Sequence, residues 1–258
     1  MKTKNDQNFD NLSQRFRKNI YNTPKGQIRL NILWHDLVEQ IPEIETGGLS
    51  VLDAGAGQGN FALQLAKKNH QLTLCDLSSE MLQDAQRLFS ENNIQNAQFI
   101  HAPVQKLFEH IDTQYDVVLF HAVLEWLAEP KETLKQLLKF IKPDGYLSLM
   151  FYSRTGLIYQ NLTHGNFDHV LKSALAGEGK SLTPTNPQDP EDVYSWINEF
   201  KLESLIRSGV RVFYDGIHRE RRKEISEEEL LELEQRFSRI EPYCSLARYI
   251  HVLCKKSS

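Results

Sequence analysis

Cysteine is scarce in this chain. Cys75, Cys244 and Cys254 are the only three in 258 residues, and no two form a C-x-x-C pair. That pattern offers neither a disulfide framework nor a zinc site, and it suits a reducing compartment. Long apolar runs are missing too, and none approaches the roughly 20 residues that cross a bilayer. The amino-terminal MKTKNDQNFD is polar and has no apolar signal core. A cytoplasmic protein with no membrane partner and no metal is expected. Positive charge is not in excess, since 30 Lys and Arg stand against 34 Asp and Glu. The resulting net charge of −4 argues against a protein that coats nucleic acid without specificity.

Acids are unevenly spread. None occurs from Asn11 to His35, a stretch holding Arg15, Arg17, Lys18, Lys25 and Arg29. Later, Arg207, Arg211, Arg219, Arg221, Arg222 and Lys223 crowd one region. Each run reads singly as a solvated face. Two of them in an acidic protein point to an anionic partner.

The remaining composition, 40% hydrophobic and 25% charged, is that of a globular protein. Helical spacing runs over Phe9 to Lys18 and Lys25 to Gln40, the second with Ile28, Ile32, Leu33 and Leu37 on one face. Strands and helices then alternate. Strands are expected at Ser50–Ala54, Gln71–Asp76, Gln98–His101, Tyr115–His121 and Tyr146–Tyr152, the last preceded by a KPDG turn. Helices are expected at Phe61–Lys68, from Ser78 or Ser79 to about Glu91, and at Lys131–Phe140, with a turn or short helix from Val104. This alternation implies right-handed crossovers and a mostly parallel sheet covered on both faces. Beyond Tyr152 the rhythm changes. Helical pieces span Gly156–His169, a Pro- and Asn-rich loop spans Ser181–Asp189, and helices cover Asp192–Phe200 and Glu227–Arg239. Strands at Leu202–Tyr214 and Leu246–Leu253 could pair antiparallel and close one sheet edge. The chain reads as one domain over 1–258, with an amino-terminal helical extension to about 42 and insertions at about 153–190 and 215–243.

The first strand runs into VLDAGAGQGN, residues 51–60. A dinucleotide fingerprint, G-x-G-x-x-G, needs a third glycine where Asn60 stands. A phosphate-binding P-loop needs Gly-Lys-Ser/Thr, which is also missing. The glycines still let a ligand approach the main chain at a strand's carboxyl end. Asp76, about 20 residues on, is placed to grip ribose hydroxyls. Together these suit a nucleoside ligand, whether NAD, FAD or S-adenosylmethionine. The broken fingerprint, with Asp53 ahead of the first glycine, favours S-adenosylmethionine.

The combination resembles class I S-adenosylmethionine-dependent methyltransferases: an α/β, Rossmann-like fold with a mostly parallel seven-stranded sheet, helices on both faces and an antiparallel last strand. The segments DNLSQRFRKNIYNTPKGQIRL, FHAVLEWLAEP, LSLMFYS, GNFD, LTPTNPQDPEDVYSWI, GVRVFYD and ARYIHV extend the likeness over nearly the whole chain. With them it resembles the tRNA 5-carboxymethoxyuridine methyltransferase family. The resemblance implies methyl transfer to the carboxylate of carboxymethoxyuridine at the tRNA wobble position, giving the methyl ester. It implies cofactor contacts at Arg29, Gly55, Ala56, Asp76, Val104, Gln105 and His121. Ala56 and Gln58 stand where relatives carry Gly and Glu, and Ala56 still leaves only a small side chain beside the cofactor.

The chemistry fits the lack of a base. A carboxylate is ionised at pH 7, so no proton needs removing, and alignment and desolvation carry the reaction. His121 then reads as a contact residue, and Tyr152 and Trp126 as pocket wall. A DPPY-like motif, expected for methylation of exocyclic amines, is replaced by FHAV. Arg15, Lys18, Arg211, Arg219, Arg221 and Arg222 are expected to meet anticodon-stem phosphates, with Tyr21, Tyr152, Phe213 or Tyr214 stacking on the wobble base. The competing readings are a carboxyl methyltransferase for a small molecule or a carrier-bound malonyl group, a non-catalytic cofactor sensor and a nicotinamide dehydrogenase.

Overall fold

The fold comes from a computed structural model that describes residues 6–10, 23–172, 175–177 and 183–257. Seven strands form one sheet: β1 (Ser50–Ala54), β2 (Gln71–Asp76), β3 (Ala97–His101), β4 (Tyr115–His121), β5 (Ile141–Tyr152), β6 (Leu202–Val210) and β7 (Tyr249–Lys256). Their order is β3-β2-β1-β4-β5-β7-β6. The first five pair parallel, and β7 runs antiparallel between β5 and β6. This is the Rossmann-like arrangement expected from the sequence.

The helices are α1 (Pro24–Gln40), α2 (Glu43–Thr46), α3 (Asn60–Lys67), α4 (Ser79–Glu91), α5 (Pro130–Leu137), α6 (Arg154–Thr163), α7 (Phe167–Leu171), α8 (Pro190–Glu199), α9 (Glu227–Phe237) and α10 (Tyr243–Leu246). Pro24 opens α1, where its missing N–H costs nothing. Ser78 caps α4, Ser153 caps α6 and Ser226 caps α9, each hydroxyl accepting an amide hydrogen of the first turn. The apolar stripe of α1, Ile28, Ile32, Leu33 and Leu37, is buried in one core layer with Leu65, Phe89 and Leu253. Leu134 and Leu137 of α5 and Val193 and Ile197 of α8 fill the opposite layer with Phe120 and Phe151.

Some boundaries differ from the sequence expectation, four of them for a visible physical reason or by more than a residue or two. The strand expected over Leu202–Tyr214 ends at Val210, because Arg211 turns left-handed at φ 64°. The amides of Val212, Phe213 and Tyr214 then all donate to the Glu234 carboxylate, at 2.7, 3.3 and 2.8 Å, curling the chain around one side chain. The last strand starts at Tyr249 rather than Leu246, which closes α10. The KPDG segment is a kink inside β5, with Asp144 at φ 59° and a register slip opposite Tyr115 and Val117. Phe9 and Asp10 are not helical, and the rest of the helix expected to Lys18 lies outside the described residues.

Candidate active site

The carboxyl ends of β1, β2 and β4 meet at one cavity. The glycine loop is held open by its own main chain: Gly55 and Ala56 donate to the Cys75 carbonyl at 2.8 and 2.9 Å. Gly55 adopts φ 85°, and a side chain there would run into Val123 at 2.4 Å. Glycine is therefore required on both counts. Asp76 pins the loop further. One carboxylate oxygen accepts from the Gly57 amide at 2.7 Å and the other from Ser78 at 2.8 Å. Burial pushes the Asp76 carboxyl above its ordinary range. Burial, then the charge of Asp76, pushes Asp53 up to about 7.

Arg29, Gly55, Asp76, Val104, Gln105 and His121 all line this cavity, so six of the seven expected cofactor residues meet there. Ala56 sits behind them in the core. Arg29 is buried, its Nε hydrogen has no acceptor among the described residues, and its guanidinium lies 4.8 Å from the centre of the Tyr249 ring. A buried cation in this state fits an incoming carboxylate. With Asp76 for hydroxyls and the apolar Leu77, Met81 and Val104 beside it, the donor set fits an amino-acid-bearing nucleoside. S-adenosylmethionine has that chemistry.

His121 is tied to a buried polar chain across the sheet. Its Nε2 is 2.7 Å from the Ser148 hydroxyl, which is 2.9 Å from His251 Nε2. His251 Nδ1 lies 2.7 Å from Asp36, which also accepts from Arg239 at 2.7 Å and Ser208 at 3.0 Å. Burial pushes the Asp36 carboxyl up, but the hydrogen bonds from His251, Arg239 and Ser208 outweigh it and hold the group below the ordinary range. Burial, then the charges of His251 and Arg29, pushes His121 well below an ordinary imidazole. His121 is therefore neutral, and with Nε2 committed to Ser148 only Nδ1 remains to meet a ligand.

Sequence reasoning missed several residues. Asp6 accepts from the Gln105 amide and the Ala128 main chain, both at 2.8 Å, and Phe9 packs edge-on against Trp126 at 4.8 Å. Asp10 accepts from Ser78 at 2.7 Å. Residues 6–10 thus strap the cavity mouth, and their polar composition gave no periodic signal. Glu125, in FHAVLEWLAEP, is buried with one oxygen unpartnered among the described residues, and burial pushes it up to about 7. A lone acid in an apolar run was the available clue.

The residues expected to meet tRNA divide into groups. Tyr152 lines a second cleft, with Arg248. Arg211 and Arg222 are not free surface cations. The Arg211 side chain is 10% exposed and bonds both oxygens of Asp215. Arg222 donates to the carbonyls of Asp215 and Ile217, both at 2.8 Å, and covers the buried Tyr214 ring. Tyr214 is thereby removed from base stacking. Arg219 and Arg221 are exposed, Arg221 beside Glu224 at 3.0 Å. Arg15, Lys18 and Tyr21 lie outside the described residues.

A methyltransferase domain family matches residues 45–200. The tRNA 5-carboxymethoxyuridine methyltransferase of Escherichia coli (strain K12) is 43% identical over 252 residues, covering 97% of each chain. The chain belongs to the tRNA 5-carboxymethoxyuridine methyltransferase family. The likeness covers the flanks as well as the glycine loop, so it concerns more than a shared cofactor fold. This methyltransferase is also 35% identical to the malonyl-[acyl-carrier protein] O-methyltransferase of Halalkalibacterium halodurans, over 38% of this chain and 37% of that one. Among solved structures, the magnesium protoporphyrin IX methyltransferase from Synechocystis PCC 6803 with bound SAH covers 96% of both chains, with a TM-score of 0.64 and 14% identity. That likeness concerns the fold alone.

Proposed function

We infer that this enzyme is an S-adenosylmethionine-dependent carboxyl O-methyltransferase. It converts 5-carboxymethoxyuridine to its methyl ester at the tRNA wobble position, in the cytoplasm. The observation that carries this reading is the 43% identity running through 97% of both chains, including the parts outside the cofactor fold. The site supports it chemically. Bound at the glycine loop, the donor supplies a methyl group already activated on a sulfonium. The acceptor carboxylate is already ionised at neutral pH, so the chain's residues have no proton to move and need only hold and orient it. Arg29 would anchor the donor's carboxylate, and Asp76 would hold its ribose. His121, neutral and fixed by Ser148, presents Nδ1 without competing for the methyl acceptor's place. The strap formed by residues 6–10 excludes water.

The amino-terminal extension and the insertions at about 153–190 and 215–243 supply the tRNA-facing surface, with Arg15, Lys18, Arg219 and Arg221 as phosphate contacts. The malonyl-carrier reading rests on the shorter match and on the same cofactor loop. Labelled S-adenosylmethionine offered with tRNA from cells lacking the enzyme, and separately with a malonyl-carrier thioester, separates the two. Alkali-labile label is expected on the tRNA. Label on the carrier protein alone contradicts the proposal.

A further inference from the structure

Beside the cofactor cavity, three cations, Arg211, Arg248 and Lys25, stand around the Asp215 carboxylate. Asp215 is bonded through both oxygens by Arg211 and accepts from Arg248 Nε at 3.2 Å. Lys25 stands within electrostatic reach of Arg211, Asp215, Arg248 and Arg222. Burial pushes Asp215 up, yet the charges of Arg211 and Arg248 outweigh this and hold it below an ordinary carboxylic acid, so it is ionised. Even with the nearby Glu234 counted, the cations outnumber the carboxylates. Arg211 Nε is buried with no acceptor among the described residues. Burial, then the neighbouring Arg211 charge, depresses the Lys25 ammonium. Unneutralised cations at such depth are costly unless an anion joins them.

The position of the cluster narrows the kind of anion. Tyr152 ends β5 and Tyr249 begins β7, with ring centres 5.0 Å apart. The Tyr249 ring carries Arg29 of the cofactor cavity at 4.8 Å and Arg211 of the cluster at 5.9 Å. One aromatic ring therefore separates the donor's anchor from the cluster. Arg248 Nη1 donates to the Tyr152 hydroxyl, which leaves that hydroxyl's own hydrogen for another acceptor. Burial outweighs the opposing charge of Arg248 and leaves the Tyr152 hydroxyl harder to ionise than usual, so it stays a donor. Tyr152 and Arg248 open on a cleft of about 590 Å³, room for a nucleoside. A backbone phosphate meets the exposed Arg219 and Arg221 first. The deeper cluster lies at the strand ends, where the methyl acceptor must come.

We propose that Lys25, Arg248 and the Tyr152 hydroxyl form the subsite that receives the carboxylate of the modified uridine, with Asp215 and Arg211 as its fixed support. This rests on the proposed function and names the residues that select its substrate. Asp215 tempers the positive charge, so the carboxylate is oriented without losing its nucleophilicity. A uridine lacking the carboxylate leaves the cations unpaired and is rejected.

The test uses two anticodon stem-loops that differ only at the wobble base, one with 5-carboxymethoxyuridine and one with 5-methoxyuridine. Turnover of the first by the wild-type protein is measured, then the binding of both. Lys25→Met keeps the stem at a half-buried position and Tyr152→Phe keeps the ring, and unchanged cofactor binding and melting show that each variant is folded. Each variant is expected to lose about tenfold in affinity for the carboxymethoxy RNA and almost nothing for the methoxy RNA. Equal losses for both RNAs, with wild-type turnover intact, overturn the subsite and make the cluster a phosphate contact. No wild-type turnover of the carboxymethoxy RNA overturns the proposed function itself, and the subsite with it.

Discussion

Asp76 holds the loop as well as lining the cavity proposed for the donor. The sequence marks it as a ribose ligand by its spacing from the glycines. Its bonds to Gly57 and Ser78 show that it also shapes the loop. Asp76→Asn is therefore expected to weaken donor binding by about tenfold or more and to cost about 1–3 kcal/mol of stability. Calorimetry with S-adenosylmethionine and chemical denaturation check the two effects separately. Unchanged affinity would remove Asp76 from the ribose. Glu125 makes a pH prediction. Its carboxyl is raised from the ordinary 4.5 to about 7 by burial. Its favourable contribution is complete below the unfolded value and is lost as pH rises towards 7, amounting to on the order of 3 kcal/mol. Asp36 and Asp215 are shifted the other way and lose their contribution only below that window. The stability of Glu125→Gln relative to wild type is thus expected to rise between about pH 4.5 and 7 and then level off. A difference that stays constant with pH contradicts the assignment.

Elements were legible where one period dominated. The stripe of α1 and the apolar runs of β1 and β4 carry their own signal, because each packs against the core along its whole length. Ends set by a distant side chain were not legible. The strand after Leu202 stops because Glu234, on α9, gathers three amides that would otherwise continue it. Close approaches between elements are hidden in the same way. Gly156, in the first turn of α6, faces the Ala247 carbonyl, and an added methyl would lie 2.0 Å from that oxygen. Gly156→Ala is expected to push α6 from the entry to β7 and cost about 1–3 kcal/mol. Denaturant midpoints check the cost, and an unchanged midpoint contradicts the packing. The polar chain from His121 to Asp36 joins β4, β5, β7 and α1 and had no sequence signature, since its members are far apart in the chain. Ser148→Ala leaves both imidazoles without their bridge. It is expected to lower donor affinity several-fold through a mobile His121.

At the scale of the whole molecule, charge and shape serve different parts of one reaction. A protein of net charge −4 binds an anionic partner only through local positive regions. The sequence located such regions but did not sort them. Arg211 and Arg222 proved to be built into the fold around Asp215, whereas Arg219 and Arg221 face solvent. Arg219→Ala is expected to weaken tRNA binding evenly across wobble modifications and to lower the slope of log affinity against log salt by about one. A filter-binding titration over salt reads this, and an unchanged slope removes Arg219 from the phosphate face.

Mass spectrometry of the wobble nucleosides tests the account most directly. Purified protein and S-adenosylmethionine are incubated with tRNA carrying 5-carboxymethoxyuridine, and the nucleosides are compared before and after mild alkali. The account predicts a gain of one methyl group on that nucleoside alone, reversed by alkali. A methyl group that survives alkali, or one found on any other nucleoside while carboxymethoxyuridine stays unchanged, contradicts it.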